Sequence, residues 1–141
     1  MKKETVGRIS NFLARHQIKR GSLATDEEIK SIEKSLGFTL NDQYIDFVKK
    51  FGGTYAGLGI HFINNNPEIG KSTVIEKTKW FRQSINNEKY SKCLVFSDDG
   101  AGNFIFLNEN GNVMIYYHDS GDVDFLYESF EHMFDFINLD S

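Results

Sequence analysis

An α+β fold, with a mostly antiparallel sheet packed by helices, is what this sequence predicts, and three observations carry the prediction. Up to Ile85, apolar residues recur mainly at helical spacing. From Leu94 to Leu126 they come in short β-branched and aromatic runs separated by Asn, Asp and Gly. The stretch after Ser129 returns to helical spacing. Helices grouped around successive antiparallel strands make an α+β domain. At 141 residues the chain reads as one domain, large enough to bury about two-thirds of its unfolded surface without staples.

The elements follow in order. Residues 4–20 form a predicted helix with Val6, Ile9 and Leu13 on one stripe, ended by Lys19-Arg20-Gly21. Arg8, Arg15 and Lys19 fall on its wet side, and one ring, Phe12, is no stacking platform for nucleic acid. Thr25 and Glu28 spell a capping box for a second helix that carries Ile29, Ile32 and Leu36 and stops at Gly37. Asn41 caps a third, with Tyr44, Phe47, Val48 and Phe51 inward and Gly52-Gly53 at its end. Residues 55–62 read as a strand weakened by Gly57 and Gly59, and residues 73–85 as a helix. Strands are predicted at 94–97, 104–107, 113–118 and 123–126, with Asn110-Gly111 as the clearest hairpin signal. Ser129 caps the last helix, which turns Phe130, Met133, Phe134 and Ile137 inward.

Charge divides the chain unevenly. Residues 1–92 hold all 16 Lys and Arg against ten acids, a balance of +6; residues 93–141 hold the other ten acids and no Lys or Arg, a balance of −10. Such asymmetry means a partner of complementary sign, or halves that attract each other in the fold. The single cysteine, Cys93, adjoins Leu94-Val95-Phe96 and reads as a buried core thiol. A chain without disulfides fits a reducing compartment. Lys2-Lys3 is not followed by an apolar leader core, and no run is long enough to cross a bilayer. The expected location is the cytoplasm, with no membrane partner.

Sites of chemistry are few. Asp98-Asp99-Gly100-Ala101-Gly102-Asn103 invites a Ca²⁺ reading, but Gly100 and Gly102 stand where an EF-hand needs side-chain ligands. Asp, Asn and Gly are also what a tight turn demands, and a turn is the expectation. Gly100-x-Gly102 lacks the third glycine and the following helix of a dinucleotide loop. His16, His61, His118 and His132 share no metal-type spacing. His118-Asp119 has the composition of a base and its orienter, but neighbours in a strand face opposite ways, so the pair is read as poorly placed. No carboxylate pair and no nucleophile motif stands out. No catalytic, cofactor-binding or metal residue is expected. What remains is the acidic second half: Asp98, Asp99, Asp119, Asp122, Asp124 and Glu128, with Tyr116 and Tyr117 among them. Uncompensated like charge draws a cationic partner and raises its on-rate. It equally serves solubility, and charge alone leaves both readings open.

Several segments resemble one family. Ile29-x-x-Ile32-Glu33-x-x-Leu36-Gly37-Phe38-x-Leu40-x-x-x-Tyr44-x-x-Phe47 is similar to the opening signature of the SUKH superfamily, in the branch named for yeast cell-wall assembly regulators. Gly52-Gly53, the Ser97–Asn103 turn, Val113-x-x-Tyr116-Tyr117-His118-Asp119 and Ser129-Phe130-x-x-Met133-Phe134-x-Phe136-Ile137 follow in matching order. The resemblance covers residues 25–138, preceded by an N-terminal helical segment, 1–22. Asn41 stands where the family often has Pro, and either residue starts a helix. The resemblance implies a non-enzymatic fold used in bacteria mainly for immunity proteins, which neutralise a cognate toxin, often a nuclease. Nucleases are commonly basic because their substrate is polyanionic. The implied role is binding of such a toxin without direct nucleic-acid contact. Asp98, Asp99, Asp119, Asp122 and Asp124 would steer, Tyr116 or Tyr117 would serve as aromatic contacts, and Glu128 would belong to the same toxin-binding face. The alternative is a regulatory or scaffold module of the same fold that binds a cellular protein.

Overall fold

A computed structural model describes residues 1–140. Three helices lead, α1 (Lys3–Arg15), α2 (Asp26–Leu36) and α3 (Asp42–Phe51). A small hairpin, β1 (Thr54–Tyr55) and β2 (Gly59–Ile60), precedes α4 (Val74–Ile85). Strands β3 (Leu94–Asp98), β4 (Phe104–Leu107), β5 (Val113–Tyr116) and β6 (Val123–Tyr127) follow, and α5 (Phe130–Phe136) closes the order. The fold is α+β, as predicted. Strands β3 to β6 make one antiparallel sheet in chain order, and β1–β2 make a second.

Both faces of the larger sheet are covered. Leu94, Phe96, Ile105, Leu107, Val113 and Ile115 join the main core with residues of α1, α2, α3 and α5. Val95, Phe106 and Tyr116 point to the opposite face and pack with Phe81 of α4 and with Cys93. Strand alternation sends successive side chains to opposite faces, so a strand covered on both sides is apolar throughout. That is why residues 94–97 are all buried. Phe47 anchors the main core: its ring meets Phe51, Phe130 and Phe134 at 5.1, 5.7 and 5.7 Å.

The caps form where their residues stand. Thr25 and Glu28 close a capping box on α2, and Gly37 ends that helix at φ 86°. The Asn41 carboxamide oxygen accepts from the amides of Gln43 and Tyr44 at the start of α3. A second capping box, Thr73 with Glu76, starts α4.

The first helix and the 55–62 segment differ from expectation. Helix α1 ends at Arg15, not Arg20. Gln17 takes a left-handed φ of 53°, and the amides of Gln17 and Ile18 return to the carbonyls of Ala14 and Leu13. This is a Schellman ending built on glutamine instead of glycine, so no glycine marks it. Gly21 serves a crossing instead. Its amide donates to the Phe51 carbonyl at 3.0 Å, and a Cβ on it would lie 2.4 Å from the Gly53 oxygen. Residues 55–62, predicted as one strand, fold back on themselves: Thr54 pairs with Ile60 and Tyr55 with Gly59.

Candidate partner-binding surface at one end of the sheet

Part of the charge division is answered within the fold. Four of the ten acids in the Lys- and Arg-free half meet cations of the first half. Asp98 pairs with Lys77 at 2.7 Å, Glu109 with Lys92 at 3.4 Å, and Asp135 and Asp140 with Arg8 at 3.5 and 3.8 Å. Among the described residues, Asp99, Asp119, Asp122, Asp124, Glu128 and Glu131 have no Lys or Arg in ion-pair range.

Four of those six gather at one end of the sheet. The β3–β4 turn and the β5–β6 turn lie side by side there, because Phe104 pairs with both Asp98 and Tyr116. Two contacts tie the turns together, and a third closes the second turn. The Asn103 side-chain oxygen accepts from the His118 amide at 3.1 Å, His118 Nε2 lies 3.1 Å from the Ala101 carbonyl oxygen, and the Tyr117 amide donates to the Asp122 carbonyl at 2.9 Å to close the second turn. Asp99, Asp119, Asp122 and Asp124 are exposed around this junction. Asp124 is the second residue of β6, opposite Ile115. Glu128 lies past the far end of β6, where its carbonyl accepts from the Asn112 side chain. Four residues at about 3.3 Å each put it roughly 13 Å from Asp124 along the strand. Among the described residues nothing pairs with the outer edge of β6. Phe125 stands on that strand 55 % exposed.

The two adjacent acids of the first turn do different work. Asp98 is half-buried, with Oδ2 on Lys77 Nζ and Oδ1 on the Gly100 amide at 2.9 Å. Burial pushes its carboxyl up, but Lys77 and the Gly100 amide outweigh burial and hold the pKa below the ordinary value. Asp99 shapes the turn itself: Oδ1 accepts from the amides of Ala101 and Asn103, and Oδ2 from the Asn103 side chain. Slight burial raises its pKa, and these hydrogen bonds bring it below the ordinary carboxylate value. Its charge stays at the surface.

The predicted aromatic contacts separate. The Tyr116 ring is buried 5.3 Å from Phe81, so it belongs to the α4 side of the core. Tyr117 is half-buried against the main core. The His118–Asp119 reading needs correction. Strand β5 ends at Tyr116, so these residues lie in a turn and do not face opposite ways. Nδ1 of His118 is 3.1 Å from Asp119 Oδ1. With Nε2 on the Ala101 carbonyl, the ring links the two turns instead of facing an open site.

A cavity of about 500 Å³ adjoins this end, bounded by Asp98, Asp99 and Gly100 of the turn and by the β1–β2 hairpin. Its walls include Tyr55, Gly59, His61, Glu68 and Ile69. Sequence reasoning passed over these residues because they lie some thirty to forty positions upstream of the turn. The glycines that weakened the predicted strand were the available signal, since Gly59 now lines the cavity. Burial holds His61 below the ordinary histidine value, against the upward pull of the Ser72 carbonyl on Nδ1. Cys93 is buried, and burial pushes its thiol up to about 11.

Fold and surface together define an α+β domain that presents an uncompensated acidic end beside an open strand edge. The chain belongs to the SMI1 / KNR4 family (SUKH-1), whose family model matches residues 23–135. That match supports the resemblance drawn from the helical signature and the Ser97–Asn103 turn, and it leaves α1 outside the matched segment. No match to the sequence is found among curated proteins. No helix among the described residues is long and apolar enough to cross a membrane.

Proposed function

We propose that this protein is a cytoplasmic immunity protein that binds and neutralises a cognate basic toxin, a nuclease being the chemistry that fits best. It does so by contact alone, with no reaction and no cofactor of its own. The observation that carries the reading is the gathering of Asp99, Asp119, Asp122 and Asp124 at one sheet end without Lys or Arg partners. Like charges held together cost stability, and such a cost is offset when a cationic surface docks. A nuclease surface that receives polyanionic substrate is of that kind. The SUKH-1 family membership supports the same role.

The test is co-expression with the product of the adjacent gene. The reading expects the two proteins to co-purify, and expects cells carrying both to survive a product that kills alone. A neighbour that is harmless, or that kills regardless of this protein, contradicts it. Co-purification with a non-toxic cellular protein would instead favour a regulatory or scaffold role.

A further inference from the structure

The cavity at the acidic end has a chemistry of its own. Its polar wall is mostly acceptors, with the hydroxyls of Tyr55 and Ser97 beside them. Glu68 and Asp99 supply carboxylates, and His61 supplies a ring nitrogen. His61 is only 4 % exposed. Its Nδ1 lies 2.8 Å from the Ser72 carbonyl, which can only accept, so Nδ1 carries the proton. Nε2 is left with a lone pair, and among the described residues no hydrogen bond reaches it. It faces the cavity past Gly59, where a Cβ would stand 3.5 Å from Nε2 and 3.4 Å from Ile69 Cβ. The nearby cation, Lys77, is buried and already bound to Asp98 Oδ2. Tyr55, Leu58, Ile69 and Ile105 form the apolar walls.

An anion would face these carboxylates with only the Tyr55 and Ser97 hydroxyls and backbone amides to donate, and a neutral ligand would leave the carboxylates unanswered. A guanidinium or ammonium on an aliphatic stem satisfies every feature. The head donates to Nε2 and the carboxylates, the stem lies on the apolar walls, and the Tyr55 ring offers its face to the charge. The rim is the Asp98–Gly100 segment, part of the acidic end itself.

We propose that this cavity receives an arginine or lysine side chain of a protein partner, as an anchor beside the acidic end. The inference rests on the immunity reading only for which protein supplies the side chain. Buried cationic anchors surrounded by weaker contacts are a common way for an interface to concentrate its affinity.

The test uses the isolated ¹⁵N-labelled protein, so it stands even if the toxin reading fails. N-acetyl-arginine amide is titrated in, with N-acetyl-citrulline amide as the uncharged analogue and agmatine as a free diamine-like cation. The expected result is saturable movement of His61 Nε2 and of the Gly59, Ile69 and Gly100 amides with capped arginine, and none with citrulline. Glu68→Gln should weaken that binding about threefold, the size of one partly screened charge pair. Gly59→Val should block it while leaving amide shifts remote from the cavity unchanged. Absence of saturable movement at His61 and Gly59, equal binding of citrulline, or no effect of either substitution overturns the proposal. Agmatine binding more tightly than capped arginine assigns the cavity to a free amine and overturns the side-chain anchor.

Discussion

Replacing Asp98 with Asn separates the structural acids from the surface ones. Asp98 Oδ2 holds Lys77 Nζ at 2.7 Å, and the lysine side chain is 8 % exposed against 32 % for the aspartate. The amide cannot neutralise the ammonium, so Lys77 remains a buried charge with at most a neutral acceptor. Removing one partner of a fully buried pair costs about 3–5 kcal/mol. Water reaches Asp98, so the expected cost is smaller, about 2–3 kcal/mol. At about 2–4 °C per kcal/mol for a chain near this size, Tm falls by roughly 5–10 °C. The converse change, Lys77→Met, leaves a carboxylate that keeps the Gly100 amide and gains water, and should cost about 1 kcal/mol. Asp119→Asn and Asp122→Asn should leave the midpoint in place or raise it slightly, because exposed like charges repel. Thermal and urea unfolding at pH 7 read all four. Asp98→Asn as mild as Asp119→Asn, or Lys77→Met more damaging than Asp98→Asn, would refute the reasoning.

Two further predictions concern titration. The folded pKa of His61 is depressed by burial, so below about pH 6.5 the unfolded chain binds more protons than the native one. Its contribution is therefore complete above that pH and lost as the pH falls; urea midpoints should drop between pH 7 and 5.5, and His61→Gln should flatten that drop. Asp98, also depressed, extends the loss into the carboxylate range. Cys93, buried with its thiol pushed up to about 11, should resist a disulfide reagent at pH 8 in the folded protein and react fully in urea; rapid native labelling would contradict its placement.

Local rules made most of the elements legible. The Thr25–Glu28 box, the Asn41 cap and the Asn-Gly hairpin each depend on residues a few positions apart, and each stands where the sequence placed it. The errors arose where backbone geometry or distant packing decides. Gln17 ends α1 in a conformation for which glutamine gives no signal, and Gly21 answers to Gly53 rather than to its own helix. The acidic site was half legible. Asp99, Asp119, Asp122 and Asp124 were visible as charge, but which acids stay unpaired depends on Lys77, Lys92 and Arg8, many residues away. Tyr116 was expected as an aromatic contact among the acids, yet strand alternation turns it toward Phe81. His61, Glu68 and Tyr55 join the site through a contact between hairpin and turn that no short spacing reveals.

Association kinetics test the central claim most directly. Binding of the adjacent gene's product would be measured across a range of salt for the wild type and for the Asp119→Asn/Asp122→Asn/Asp124→Asn variant. If the acidic end is the docking surface, the variant associates more slowly at low salt. The dependence of its on-rate on salt also flattens, because the steering field is gone. An on-rate and salt slope equal to those of the wild type, in a variant that folds normally, would show that the partner docks elsewhere.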